Sequence, residues 1–154
     1  MKRFLALLAC VLLISGVLMI PAAAIGEEAR KDQIIVHQTV EYVGDDCYYI
    51  ETISVPSAQL YSSAKAGTKT AAYVVSGTTI YSVSVDGVFS FDGTTSSATS
   101  SHCTVATYVE SATIISHYAY LSGASACGFG SVSYNGATLQ KTVTLTCDKD
   151  GNLS

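Results

Sequence analysis

Four of the five cysteines, three histidines and a few turn carboxylates are the groups in this chain that could do chemistry. Beyond residue 24 the cysteines are Cys47, Cys103, Cys127 and Cys147, separated by 55, 23 and 19 residues. Zinc sites draw their ligands from closely spaced pairs, which this spacing does not offer, so no metal site is expected. An even number in a small exported domain implies two disulfides, with three connectivities open. A nucleophilic serine needs a sharp strand-to-helix turn of the form G-x-S-x-G. The nearest match, Gly123-Ala124-Ser125-Ala126-Cys127, fails at its last position and has no helical pattern after it. His37, His102 and His117 are scattered, with no motif that would make one a base.

The carboxylates divide in the same way. Asp45-Asp46 reads as a turn, where aspartate bonds its own backbone. Asp148-Lys149-Asp150-Gly151-Asn152 has acidic positions like a calcium loop, but its glycine comes at position 4, where an EF-hand needs it at 6. It reads as a polar terminal turn. Asn152-Leu153-Ser154 matches the glycosylation sequon. No motif cradles a cofactor, and none is expected. Ten tyrosines without a tryptophan are the one hint of recognition, since tyrosine joins a broad apolar ring to a polar tip. Tyr118 and Tyr120 share one strand face. Tyr73 would share a face with Tyr81 if their strands pair. Tyr118, Tyr120 and Tyr73 are therefore the candidate binding surface. The simpler reading is that tyrosine is a favoured strand residue.

The elements that must position these groups are strands. From Gln33 onward β-branched residues, tyrosine, serine and threonine alternate, and glycine-centred breaks recur about every ten residues. No stretch after Ile25 keeps a 3.6-residue period. The alternation predicts strands over 34–43, 48–55, 68–75, 79–91, 102–108, 113–121, 125–134 and 138–147, with a Ser/Thr-rich connection before the fifth. Asn135-Gly136 is the strongest hairpin signal. In the last strand Leu139, Val143, Leu145 and Cys147 share one parity and take the core face, while the alternate threonines face water. Lys141 interrupts the apolar set, as at a strand entrance or a sheet edge. Asp86-Gly87 resembles a hairpin turn, but a turn there would put Phe89 and Phe91 on the face opposite Tyr81, Val83 and Val85. A strand running straight through keeps all five together. Two exposed phenylalanines would cost about 2–3 kcal/mol each, so a continuous strand with both rings buried is expected. The fold class is all-β, a two-sheet antiparallel sandwich of immunoglobulin type over residues 33–154.

The N-terminus differs in kind. Lys2-Arg3, an apolar run over 4–20, Pro21 and Ala22-Ala23-Ala24 form the three parts of a secretory signal, cut after about Ala24. A spanning anchor needs roughly 20 apolar residues, more than the run supplies. Leu7-Leu8-Ala9-Cys10 resembles a lipobox, but it comes too early in the run. A signal helix over 1–24 and a flexible leader over 25–32 are therefore expected, with secretion and no membrane anchor after cleavage. After residue 24 twelve acids face six bases. That balance speaks against nucleic acid and anionic membrane partners.

The pattern Tyr81-x-Val83-x-Val85-x-Gly87-x-Phe89-x-Phe91-x-Gly93, with the ending Thr144-Leu145-Thr146-Cys147-Asp148 and Gly151-x-Leu153-Ser154, resembles a group of small secreted proteins of Gram-positive, clostridia-like bacteria. The resemblance implies a bacterial, extracellular β-rich domain and assigns no activity. Position along the strands, together with this resemblance, points to bridges Cys103–Cys147 and Cys47–Cys127. The functional expectation is a secreted, non-enzymatic module that binds an extracellular glycan, peptide or protein. The alternatives are a small hydrolase using Asp45, Asp46, Asp86 or Asp92, and a structural subunit of a cell surface or spore coat.

Overall fold

The computed structural model describes residues 32–57 and 64–154. The expected signal helix, and the leader up to Lys31, lie outside the described residues. Eight strands follow one another: β1 (Gln33–Gly44), β2 (Cys47–Pro56), β3 (Ala64–Val75), β4 (Thr78–Phe91), β5 (Ser96–Thr107), β6 (Ala112–Ser122), β7 (Ser125–Tyr134) and β8 (Ala137–Thr146). Local turn chemistry joins many of them. Ser76-Gly77 and Asn135-Gly136 carry φ of 48° and 78°, and of 49° and 78°. Positive φ at both central positions is the geometry whose twist matches a hairpin. Asp92 closes the β4–β5 turn by accepting the Thr94 and Thr95 backbone N–H groups on Oδ1 at 2.9 and 2.7 Å. Those bonds, the Thr95 one first, hold its carboxyl below the usual range.

All pairing is antiparallel. β1-β2-β3-β4-β5 form one sheet and β6-β7-β8 the other, each in sequence order, and residues 108–111 carry the chain between them. The expectation of two antiparallel sheets holds. The immunoglobulin type does not, because that sandwich needs a Greek-key crossing and here every neighbour in a sheet is a neighbour in sequence.

β4 runs through Gly87 without reversing, pairing with β3 on one side and β5 on the other. Tyr81, Val83, Val85 and Phe89 are fully buried on its inner face and Phe91 is half-buried. The parity argument therefore decides against the local turn preference, although Phe91, at the sheet rim under Gly151, keeps part of its ring in water. β5 begins inside the stretch expected as a connection. Its small hydroxyl residues have little strand preference of their own, but the end of β4 templates them, Phe91 opposite Ser96 and Phe89 opposite Ala98.

The core lies between β2-β3-β4-β5 and β7-β8, built from Tyr81, Phe89, Ile53, Leu145, Val83 and Val85. The sheets approach closely over β7, where Gly128 and Gly130 face inward. A Cβ at Gly130 would stand 2.6 Å from Val83 Cγ2, and one at Gly128 would stand 2.9 Å from Cys103 Sγ. Close approach lets Ser101 Oγ donate to the Cys127 carbonyl at 3.0 Å, and Cys103 Sγ to that of Phe129 at 3.5 Å. Core-face Leu139, Val143, Leu145 and Cys147 point inward as the alternation requires.

Candidate functional site

Because the glycines of β7 face the core, the residues between them face outward. Cys127 and Phe129 therefore join Tyr118 and Tyr120 of β6 on the outer face of the three-stranded sheet. The strands align in rows, Tyr118–Phe129–Thr142 and Tyr120–Cys127–Thr144. Tyr118 is 55% exposed and Tyr120 44%. The Tyr118 ring stacks on Phe129 with centroids 5.0 Å apart and planes at 25°. It stands 6.1 Å from the Tyr120 ring at 37°. An offset stack of this kind holds a ring in place. Tyr120 covers Cys127, whose Sγ lies 3.8 Å from Thr144 Oγ1. The neighbouring thiol, through its charge and a hydrogen bond, raises the pKa of the Tyr120 phenol. Flanking rows, Ser116–Ser131–Gln140 and Ser122–Ser125–Thr146, add hydroxyls and one amide. Across these four rows no side chain is charged.

Tyr73 does not belong to this surface. It lies on the inner face of the five-stranded sheet, opposite Tyr49 and Tyr81, with ring centroids 5.0 and 5.6 Å away. The expected Tyr73–Tyr81 pairing is right, but it closes an interior cluster. Burial first, then a hydrogen bond to Cys47, pushes the Tyr73 phenol up to about 12. Burial and the Tyr49 hydroxyl, 2.8 Å away, raise Tyr81 as well. Beside this cluster Lys141 lies over the Tyr49 ring at 4.2 Å. It also bridges Glu41 and Glu51 at 2.9 and 3.0 Å. β8 is an edge strand, as the lysine in its apolar set suggested. Its acidic partners sit on β1 and β2, 100 and 90 residues away in sequence, and no local pattern announces them.

The expected disulfides are absent: all four cysteines are free thiols. Cys47 ends the β1–β2 turn beside β3, whereas Cys127 faces outward from the other sheet, so neither side chain can reach the other. Cys103 on β5 points at the β7 backbone, and Cys147 follows β8 on the far side of β7. Position along a strand could not reveal which layer each thiol entered. Burial, then the charge of Asp86, raises the Cys103 thiol, and burial, then Asp148, raises that of Cys147. Both are kept in the less nucleophilic protonated form.

The carboxylates named for a hydrolase stand apart. Asp45 and Asp46 occupy the β1–β2 turn. Asp86 faces outward and accepts Thr68 Oγ1 at 2.6 Å. Asp92, six residues further on in the turn after β4, is about 20 Å from it by strand rise. A recess lined by Val36, His37, Val55, Lys65 and the end of the chain contains no Asp or Glu side chain. Asp148 spends its carboxylate within its own turn, accepting the Asp150 and Asn152 N–H groups at 2.9 and 2.8 Å. Among the described residues no group of acids, histidines and thiols converges as a metal site would require.

Comparison with family models, with curated proteins and with solved structures gives no match. The outer face of β6-β7-β8 is thus read from its own chemistry. Phe129 was the member that sequence reasoning missed. Its signal was the pair of flanking glycines, which mark an inward-facing parity of small residues and so turn the phenylalanine outward.

Proposed function

We propose that the chain is a secreted, non-enzymatic binding module that takes a neutral glycan on the outer face of β6-β7-β8. The observation that carries this reading is the uncharged face itself, two exposed tyrosines anchored by Phe129 among rows of hydroxyls. Tyrosine rings stack on the apolar face of a sugar, and threonine, serine and glutamine exchange hydrogen bonds with its hydroxyls. The absence of charge means that no ion must be desolvated when such a ligand lands. Rows of side chains on a paired sheet are also rigid, so little side-chain freedom is lost on binding. Export rests on the N-terminal pattern of residues 2–24, and the separation of the turn carboxylates supports binding over hydrolysis.

The test is titration of the purified protein against neutral polysaccharides and cell-wall fragments. Saturable binding that weakens about 2- to 13-fold in Tyr118→Ala and in Tyr120→Ala supports the reading, a range set by ring contacts of about 0.5–1.5 kcal/mol. Binding that survives the double substitution, or no saturable binding to any of these ligands, overturns it.

A further inference from the structure

We infer that the chain forms a two-fold dimer through β1, joining the five-stranded sheets of two copies into one of ten strands. β1 is the outer strand of its sheet and packs against β2. Of the thirteen large apolar side chains exposed among the described residues, six lie on β1. Ile35 at 58% and Val40 at 43% are on one face, and Ile34 at 49% is on the other. A free edge of this length exposes a row of backbone donors and acceptors, and monomeric proteins usually blunt it with lysine, proline or a covering segment. β1 contains no lysine, arginine, proline or aspartate. Among the described residues, no backbone hydrogen bond outside the strand ladders reaches it. Two of the other sheet edges are treated differently, and β6, which also exposes large apolar side chains, lacks the self-complementary charge of β1. β5 exposes no large apolar side chain, and the end of β8 is covered by Ser154, which exchanges backbone hydrogen bonds with Thr146 at 2.9 Å each way.

The partner is a second copy because β1 complements itself. Bulges at Val36 and Val43 bound a regular stretch over 37–42. With two copies antiparallel about an axis through Thr39, Thr39 meets Thr39, Val40 meets Gln38, and Glu41 meets His37, the last two pairs occurring twice. Partners in such a ladder share a face, so every pair is like with like in orientation. The strand's one imidazole and one carboxylate meet each other and never their own kind. The Glu41 side chain is 60% exposed, and one of its two oxygens takes Lys141 at 2.9 Å, which leaves the other for the imidazole. The same operation on β6 about Ala119 sets His117 against Leu121 and gives no complementary charge. A closed two-fold also ends the assembly, since each copy has one β1. The glycan reading does not enter this argument. In the dimer the two tyrosine faces remain open, and a polymeric ligand could engage both.

The experiment uses the full chain expressed with its own N-terminus and recovered as the cell delivers it, with intact mass recording where it begins. Sedimentation over about a hundredfold range of concentration should show the mass of two chains. Thr39→Lys, at an exposed position, should weaken the dimer at least tenfold by opposing two lysines at the axis, while circular dichroism stays that of the native fold. His37→Glu and Glu41→Lys should each lose the dimer alone and regain it when mixed. Thr39→Cys should cross-link to itself on mild oxidation, because opposed residues in a ladder have Cα atoms about 4.5–5.5 Å apart. Val43→Cys should not. A monomer at every concentration, a dimer indifferent to Thr39→Lys, or a mixture no stronger than its components would overturn the inference. Polysaccharide titration of the Thr39→Lys monomer keeps the two proposals separate, because its affinity per site should be unchanged.

Discussion

Replacing Gly130 with alanine measures how closely the two sheets are held. The added Cβ would stand 2.6 Å from Val83 Cγ2 and 2.8 Å from Val105 Cγ2, where carbon atoms at rest need about 3.5–4.0 Å. Something must therefore move by about 1 Å. Neither valine can swing aside, because Val83 is fully buried and Val105 is 8% exposed, and branching at Cβ leaves few alternative rotamers. Overpacking of this kind costs about 1–3 kcal/mol. Loss of glycine's freedom in the unfolded chain returns about 0.4–1 kcal/mol, so Gly130→Ala should destabilise by about 1–2 kcal/mol. Val83→Ala alone removes two buried methyl groups, about 1.6 kcal/mol of transfer, plus a cavity term that brings it to about 2–3 kcal/mol. The double variant should cost less than the two singles together, by about 1 kcal/mol, because the introduced methyl enters the space that Val83 vacates. Urea unfolding of the four proteins completes the cycle. Gly136→Ala is the control. Its Cβ would meet nothing within 4 Å, and its φ is +78°. Its cost, about 1–2 kcal/mol for a left-handed backbone, should be independent of Val83. Additivity of Gly130→Ala and Val83→Ala within about 0.5 kcal/mol, or a Gly130→Ala protein as stable as the parent, would refute the close-packing argument.

Two further outcomes are expected. In denaturant without reductant Cys47, Cys103, Cys127 and Cys147 should all be alkylated. In the native protein Cys47, the most exposed of the four, should react well before the others. Mass spectrometry reads the result, and two or four cysteines that stay unmodified until reduction would restore a disulfide framework. Stability should fall at both ends of the pH scale. Although burial opposes it, pairing with Lys141 and Lys69 lowers the pKa of Glu51, so its contribution is present above about pH 4.5 and is lost as pH drops through the folded value. Tyr73 and Tyr81 are raised by burial and by neighbouring hydroxyl and thiol groups. Their contribution is complete below about pH 10, where unfolded tyrosine begins to ionise, and fades as pH climbs toward about 12, the folded value of Tyr73. Thermal melts across pH, with phenolate absorbance followed in parallel, check both limbs. A melting temperature unchanged from pH 9 to pH 12 would contradict the buried tyrosine cluster.

Much of the architecture was legible along the chain because strands and tight turns are encoded locally. Alternation over four to eight residues announces a half-buried strand, and Asn135-Gly136 or Ser76-Gly77 supplies the positive φ that a hairpin needs. The same two-residue period was strong enough to carry β4 through Asp86-Gly87 and to set Leu139, Val143 and Leu145 on one face of β8. Period alone cannot say what lies opposite a face. Gly128 and Gly130 look like gaps in a strand until the β4–β5 layer fills them, and only then is Phe129 seen to stand outside beside Tyr118. The same limit misplaced Tyr73, whose parity was right but whose face turned out to be the interior. It also misplaced the thiols, because Cys103 and Cys147 belong to different sheets, and Cys103 turns toward the β7 backbone. Lys141 could be read as an edge residue from its own strand, but Glu41 and Glu51 reach it only after the second sheet has folded over the first. Which faces meet is a property of the closed sandwich, where burial and ion pairing between distant strands decide what short-range alternation leaves open.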